Sequence, residues 1–320
     1  MTDSFDNTSE YIPGDQDKDP DYYYRTSVKN WYSLFEFFEK GNYKSYYIIY
    51  LDTITDDMLD ELNYNFNFDC FINLSYLYHD TEIPTVNVDL LLSKLKGIKF
   101  LSTNTFENSL TITHMPDTLE TILGYSSSFK ISDLSNCCNM KSYIITNTSD
   151  AKVILPRLPN NLTTISINCY EIDGDSLIFP ASVENIDITL YKFNVNISDW
   201  PTNLKSLNIH CDSNSDDNNT GTLGMLPFTL EDFRFYTPKY DYYLDLPSNL
   251  KSFKFICKTE YKYTLEIPDC VMELSLDYRG FPSIEKLPKA CKKFKYTYSD
   301  DDVFLAFCKA HKRKGVLITK

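Results

Sequence analysis

The chain has 320 residues, 42% of them hydrophobic and 15% aromatic, and carries a formal net charge of −14. This composition excludes a wholly disordered chain, and the charge argues against bulk attraction to nucleic acid or anionic lipid. No run approaches the ~18 apolar residues of a membrane span, the densest short stretch being YYIIYL from Tyr46.

Residues 1–21 hold seven acids and one base and read as a disordered acidic tail. The tail lacks the basic start and apolar middle of a signal peptide, so the expected location is cytoplasmic. Nine cysteines without a Cys-x-x-Cys pair fit reduced thiols. Residues 22–91 read as a helical N-terminal cap with degenerate long repeats. In it, TSVKNWYSLFEFFEKG from Thr26 is aromatic-dense and helix-sized, with Gly41 as a stop. Strand candidates follow at Tyr46/Ile48, Leu74/Tyr76 and Ile98/Phe100. Between them lie two helical connectors. TDDMLDELNYNF has Thr55 as its cap, and VDLLLSKLKG ends on Gly97.

From residue 92 to 298 the chain repeats with a period of about 21. The unit is Pro-x-x-apolar-x-x-apolar-x-apolar. It starts at Pro116, Pro159, Pro180, Pro201, Pro227, Pro247, Pro268 and Pro288, and Cys137 stands in the proline slot of one further copy. With the proline as position zero, the +6 residues are Ile122, Tyr143, Ile165, Ile186, Leu207, Phe233, Phe253, Leu274 and Phe294, spaced 20 to 22 apart except for one step of 26. That step contains the acidic insert CDSNSDDNNTGTLG. Positions +6 and +8 alternate, so both face one side of a short strand, and +3 points to the same core from the turn. One such unit buries nothing alone, whereas stacked units share a continuous core. Cys169, Cys211 and Cys257 fall at +10, the next inward position, and read as small core residues. Residues 299–320 read as a helical basic cap. DDVFLAFCKAHKRKG puts Val303, Phe304, Phe307, Cys308 and His311 on one helical face.

The unit LPNNLTTISI resembles the leucine-rich repeat, in particular its short Leu-Pro variants in LPX-type bacterial effectors and in FNIP-repeat proteins. The resemblance implies an α/β-type solenoid, a curved array with a parallel sheet on its concave face, short extended or loop segments on its convex face, and helical caps at both ends. It departs from the family at +11, where Tyr170, Tyr191, Asp212 and Lys258 replace the asparagine that the family places after the strand. The LPX effectors' ligase activity is not carried over, because fewer than 30 residues follow the last repeat.

Signals for catalysis are poor. The chain has no phosphate loop, Gly-x-Ser-x-Gly or His-Glu-x-x-His, and its four histidines are scattered. Cys308-x-x-His311 has the spacing of half a metal site without a second half. No enzyme activity, cofactor or metal is expected. The outward positions +5, +7 and +9 are the stronger candidates, weighed against a merely solvated sheet face. Asp187, Asn208, His210, Arg234, Tyr236, Lys254, Lys293 and Lys295 form the expected partner-binding set, since Arg and Tyr are enriched at binding hot spots. Leu123, Tyr125, Ile144 and Ile256 add apolar contacts. The expected function is a non-catalytic protein-protein interaction module, a monomer in isolation, with no nucleic-acid partner and no membrane span. The alternative is a substrate-recognition adaptor of a ubiquitin-ligase complex, recruited through the N-terminal helical region. The ten bases among residues 286–320 are a candidate nuclear signal or acidic-partner site, set against a solubilising cap.

Overall fold

Proline accepts but cannot donate, so it suits the first position of a tight turn closed by the N–H three residues on. In the computed structural model the carbonyls of Pro116, Pro159, Pro180, Pro201, Pro227, Pro247, Pro268 and Pro288 each accept the backbone N–H of the +3 residue at 3.1–3.2 Å. Cys137 does the same for Met140 at 3.0 Å, so the turn needs the carbonyl more than the ring. The structure describes residues 25–28, 46–50, 54–60, 71–75, 87–95, 98–104, 110–125, 129–131, 133–147, 152–174, 177–212, 221–279, 286–297 and 317–319. The chain divides into two compact units, Met1–Lys130 and Ile131–Lys320.

In the first unit, β1 (Arg25–Val28), β2 (Tyr46–Tyr50), β3 (Phe71–Ser75), β4 (Phe100–Asn104) and β6 (Thr121–Tyr125) pair in parallel in that order, with β5 (Leu110–Ile112) between the last two in sequence. Thr26, Tyr47, Ile72, Leu101 and Ile122 align across them. This corrects three strand placements. Ile98 is a +3 residue, fully buried, whose N–H reaches the carbonyl of Leu95 at 3.4 Å, so Leu101 takes the place assigned to Ile98. On β2 the buried side chain is Ile49, one residue from the expected Ile48, and a one-residue shift exchanges the two faces. On β3 the aligned pair is Ile72 and Leu74, two residues earlier than Leu74/Tyr76. Arg25–Val28 is a strand where the helical cap was expected to begin, and residues 29–41 of that cap lie outside the described residues.

Two short helices connect these strands, α1 (Asp56–Asp60) and α2 (Val88–Lys94). Asn87 caps α2 through its side chain, which accepts the Leu90 N–H at 3.1 Å. Its own N–H reaches the Asp56 carboxylate at 2.6 Å and ties the helices together. Asp89 accepts the backbone N–H groups of Thr113 and His114 and the Thr113 hydroxyl. Burial pushes its carboxyl up, but these bonds outweigh that and hold it below the usual range.

The second unit is a parallel-sheet β-solenoid of about eight turns, mostly strand. β7 (Phe129–Ile131) spans the boundary between the units. β8 (Ser142–Thr146), β10 (Thr164–Cys169), β12 (Asn185–Leu190), β13 (Ser206–Cys211), β14 (Asp232–Thr237), β15 (Ser252–Glu260), β16 (Glu273–Arg279), β17 (Lys293–Tyr296) and β18 (Leu317–Thr319) pair in parallel in chain order. In a separate two-stranded sheet β9 (Lys152–Val153) pairs with β11 (Glu171–Ile172), and single bridges join Asp133 to Arg157 and Asn196 to Thr222. The +6 residues Tyr143, Ile165, Ile186, Leu207, Phe233, Phe253, Leu274 and Phe294 are all in register. They are at most 3% exposed, and the +3 residues Leu162, Val183, Leu204, Leu230, Leu250 and Val271 are fully buried. Each such side chain contributes roughly 1.5–3 kcal/mol by its transfer from water. Cys169, Cys211 and Cys257 at +10 are buried as expected. Residues 317–319, inside the expected C-terminal helical cap, form strand β18 instead, and residues 299–316, with Cys308 and His311, lie outside the described residues.

Two lateral ladders hold successive rungs. The N–H groups of +4 and +5 both donate to the +4 carbonyl of the rung before, as Glu184 and Asn185 do to Thr163 at 2.9 and 3.1 Å. At +2, short polar side chains donate to backbone carbonyls of that preceding rung. Ser182 reaches Leu162 at 2.6 Å, Thr229 reaches Leu204 at 2.9 Å, and the Cys270 thiol reaches Leu250 at 3.0 Å. This +2 ladder ties each of these rungs to the one before it.

Candidate functional site

The strands that bury +6, +8 and +10 must present +5, +7 and +9 on the other face. The structure places all eight expected partner-binding residues on that outward face of the second unit. Asp187, Asn208, Arg234, Lys254 and Lys295 occupy +7 on β12, β13, β14, β15 and β17. Strand pairing brings Asp187 beside Asn208, Asn208 beside Arg234, and Arg234 beside Lys254. His210 and Tyr236 are register partners at +9, and Lys293 lies at +5 of β17. Of the apolar residues expected to join them, Ile144 and Ile256 are half-buried, Leu123 is half-buried in the first unit, and the Tyr125 side chain lies outside the described residues.

The face is graded in chemistry. At its start the Asn208 amide donates to the Asp187 carboxylate at 2.9 Å. In the middle the His210 and Tyr236 rings lie 4.2 Å apart at 38°. The Lys258 ammonium sits 5.5 Å over the Tyr236 ring, within cation–π range, and 4.0 Å from Asp212. Its contact with the Tyr236 hydroxyl is the main cause that raises the Lys258 pKa. Toward the end Arg234 pairs with Asp232 at 3.0 Å and Lys293 with Glu273 at 2.6 Å. A shallow groove there is lined by Arg234, Lys254, Lys293 and Lys295 with one acid, Glu273.

Two residues escape sequence reasoning. Lys258 stands at +11, beyond the alternating rows, and only the length of β15, which runs to Glu260, carries it onto Tyr236. Ser275 sits at +7 between Lys254 and Lys295, and a lone serine in a polar row gives no signal until its neighbours are known. Among the described residues no group of three His, Cys, Asp or Glu side chains is placed to hold a metal ion, and no helix is long and apolar enough to cross a membrane.

No protein-family model, curated protein or solved structure matches the chain.

Proposed function

We propose that the second unit is a leucine-rich-repeat-like binding module, and that the chain acts without catalysis by holding a protein partner on the outward, concave face of its sheet. The observation that carries this reading is the in-register row from Asp187 to Lys295, where Arg234, with Tyr236 two residues on, stands among polar and charged side chains on paired strands rather than on loops. A surface fixed by a hydrogen-bonded sheet loses little entropy on binding, so few contacts suffice for recognition. The adjacent His210 and Tyr236 rings supply aromatic surface, and the basic groove beside them supplies charge.

The test is a pull-down from native cell extract read by mass spectrometry. The wild type is compared with a variant carrying Arg234→Glu, Tyr236→Ala and Lys254→Glu, whose circular dichroism is first shown to be unchanged. A partner held by the wild type and lost from the variant is the expected result. A partner retained by both would move the site off this face. Retention that instead maps to residues 1–91, with ligase components co-purifying, would favour an adaptor role.

A further inference from the structure

Not every base in the groove is free to meet a ligand. Arg234 is engaged by Asp232 and Lys293 by Glu273, while Lys254 and Lys295 make no ion pair among the described residues. They stand at +7 of β15 and β17, and Ser275 of β16 lies between them in register. Strands pair about 4.8 Å apart, so the two lysine backbones are ~10 Å apart with a hydroxyl at the midpoint. Both ammonium groups sit on flexible four-carbon stems and can converge above Ser275. Two like charges brought together in this way favour an anion between them. Two carboxylates stand two residues from Ser275 on β16: Glu273, which Lys293 engages, and Asp277. Burial pushes the Asp277 pKa up against the pull of Lys295 and Lys254, and Asp277 pairs with neither.

The surroundings narrow the anion's source. Leu317 on β18 stands beside Lys293 in register, is 60% exposed, and lines the same groove. An apolar side chain in the same groove as two uncommitted cations suits a peptide better than a bare phosphate chain. The net charge of −14 also opposes long-range capture of a polyanion. We propose that the Lys254–Ser275–Lys295 row receives a carboxylate side chain from an acidic segment of a protein partner, with an apolar residue of that segment set against Leu317. This rests on the reading of the sheet face as a protein-binding surface and names the chemistry of what binds there.

The experiment is fluorescence anisotropy with the full-length protein and a labelled 12-residue peptide of Asp, Glu, Gly and Leu. The same peptide with Asn and Gln in place of its acids is the comparison. Saturable binding of the acidic peptide alone is expected, weakened at least tenfold between 50 and 300 mM NaCl. The pair Lys254→Glu and Lys295→Glu should lose at least tenfold in affinity, and the milder pair Lys254→Gln and Lys295→Gln, which guards against a folding defect, at least fivefold. A control pair with the same change in net charge, Lys262→Glu and Lys289→Glu, should stay within twofold. Equal loss in the control pair would overturn the site. So would no binding of the acidic peptide, or a single-stranded oligonucleotide of equal length competing as well as the peptide. In either of those last two outcomes a partner still lost from the pull-down variant would keep the binding face and remove only the acidic segment.

Discussion

Gly224 shows how little freedom the chain has where the long insert rejoins the array. Its φ is +56°, and a Cβ there would lie 2.4 Å from the carbonyl oxygen of Ile197. Gly221, three residues earlier, is as tightly placed, 2.6 Å from the Val195 oxygen and 2.8 Å from the Phe193 ring. Between them Thr222 bridges to Asn196, and the Trp200 indole N–H donates to the Leu223 carbonyl at 2.7 Å. A side chain at 224 must therefore both adopt a left-handed backbone and push another backbone away. Gly224→Ala is expected to destabilise the protein by roughly 1–3 kcal/mol, read as a lower urea midpoint. Ser198→Ala, exposed and adjacent, should stay within about 0.5 kcal/mol. An unchanged midpoint for Gly224→Ala would show that the segment relaxes freely. Such a constraint cannot be read from GTLG itself. The letters mark a turn, and only the neighbouring rung reveals what the missing Cβ would strike.

The strands were far more legible than the connections. Every +6 residue from Tyr143 to Phe294 pairs as its spacing requires, because the proline turn is a local device that sets register before any long-range contact forms. The Cys137 rung keeps the register without a proline, but ahead of β2, β3 and β4 in the first unit no proline marks the turn and the spacing misplaces the strands. At β4 the carbonyl of Leu95, at the end of α2, takes the proline's part, and nothing in the letters KLKGIKF separates a +3 isoleucine from a +6 one. The outward residues were legible as a consequence of the inward ones, but their pairings were not, since Lys258 over Tyr236 depends on how far a strand extends. The buried rows also store protons. Burial, with Glu171 adding to it, pushes the Cys169 thiol from an ordinary 9.0 up to about 12. Burial moves Tyr240 from 10.0 to about 12 despite an opposing backbone hydrogen bond at Leu223, and it moves Tyr296 likewise to about 12, helped by Asp277. The unfolded chain releases these protons near pH 9 and 10, and the folded chain near 12. Their contribution is thus intact below pH 9. Above it the unfolded state binds fewer protons, so stability falls with rising pH, each group adding a slope that approaches about 1.4 kcal/mol per unit. Urea midpoints are expected to hold between pH 7 and 8.5 and to drop steadily from pH 9.5 to 11. A flat profile to pH 11 would mean that these rows open to water.

A molecule built from one repeated rung should tolerate losing a whole rung and fail on losing part of one. Each rung touches chiefly its two neighbours, so stability is close to a sum of rung and interface terms. Tyr143 and Ile186 both align with Ile165. Removal of residues 164–184 therefore joins Thr163 to Asn185 and lets β8 meet β12 in an unchanged register, Tyr143 against Ile186. The deletion removes 21 residues, the pairing of β9 with β11 and the stacking of Phe179 on Trp200, but none of the outward residues from Asp187 to Lys295. The shortened protein is expected to keep its far-ultraviolet circular dichroism shape and to unfold cooperatively. Its urea m-value should fall roughly in proportion to the residues removed, and its affinity for the acidic peptide should stay within twofold. Removal of residues 164–174 instead leaves half a rung. The strand is gone while its return segment, up to the Pro180 turn, remains, so that segment has no strand of its own rung to pack against and stands between β8 and β12. That protein should be insoluble or lack a cooperative transition. Equal tolerance of both deletions would contradict the rung as the unit of folding. Equal failure of both would show that this particular rung, with its Phe179–Trp200 stack, anchors its neighbours in a way that the others do not.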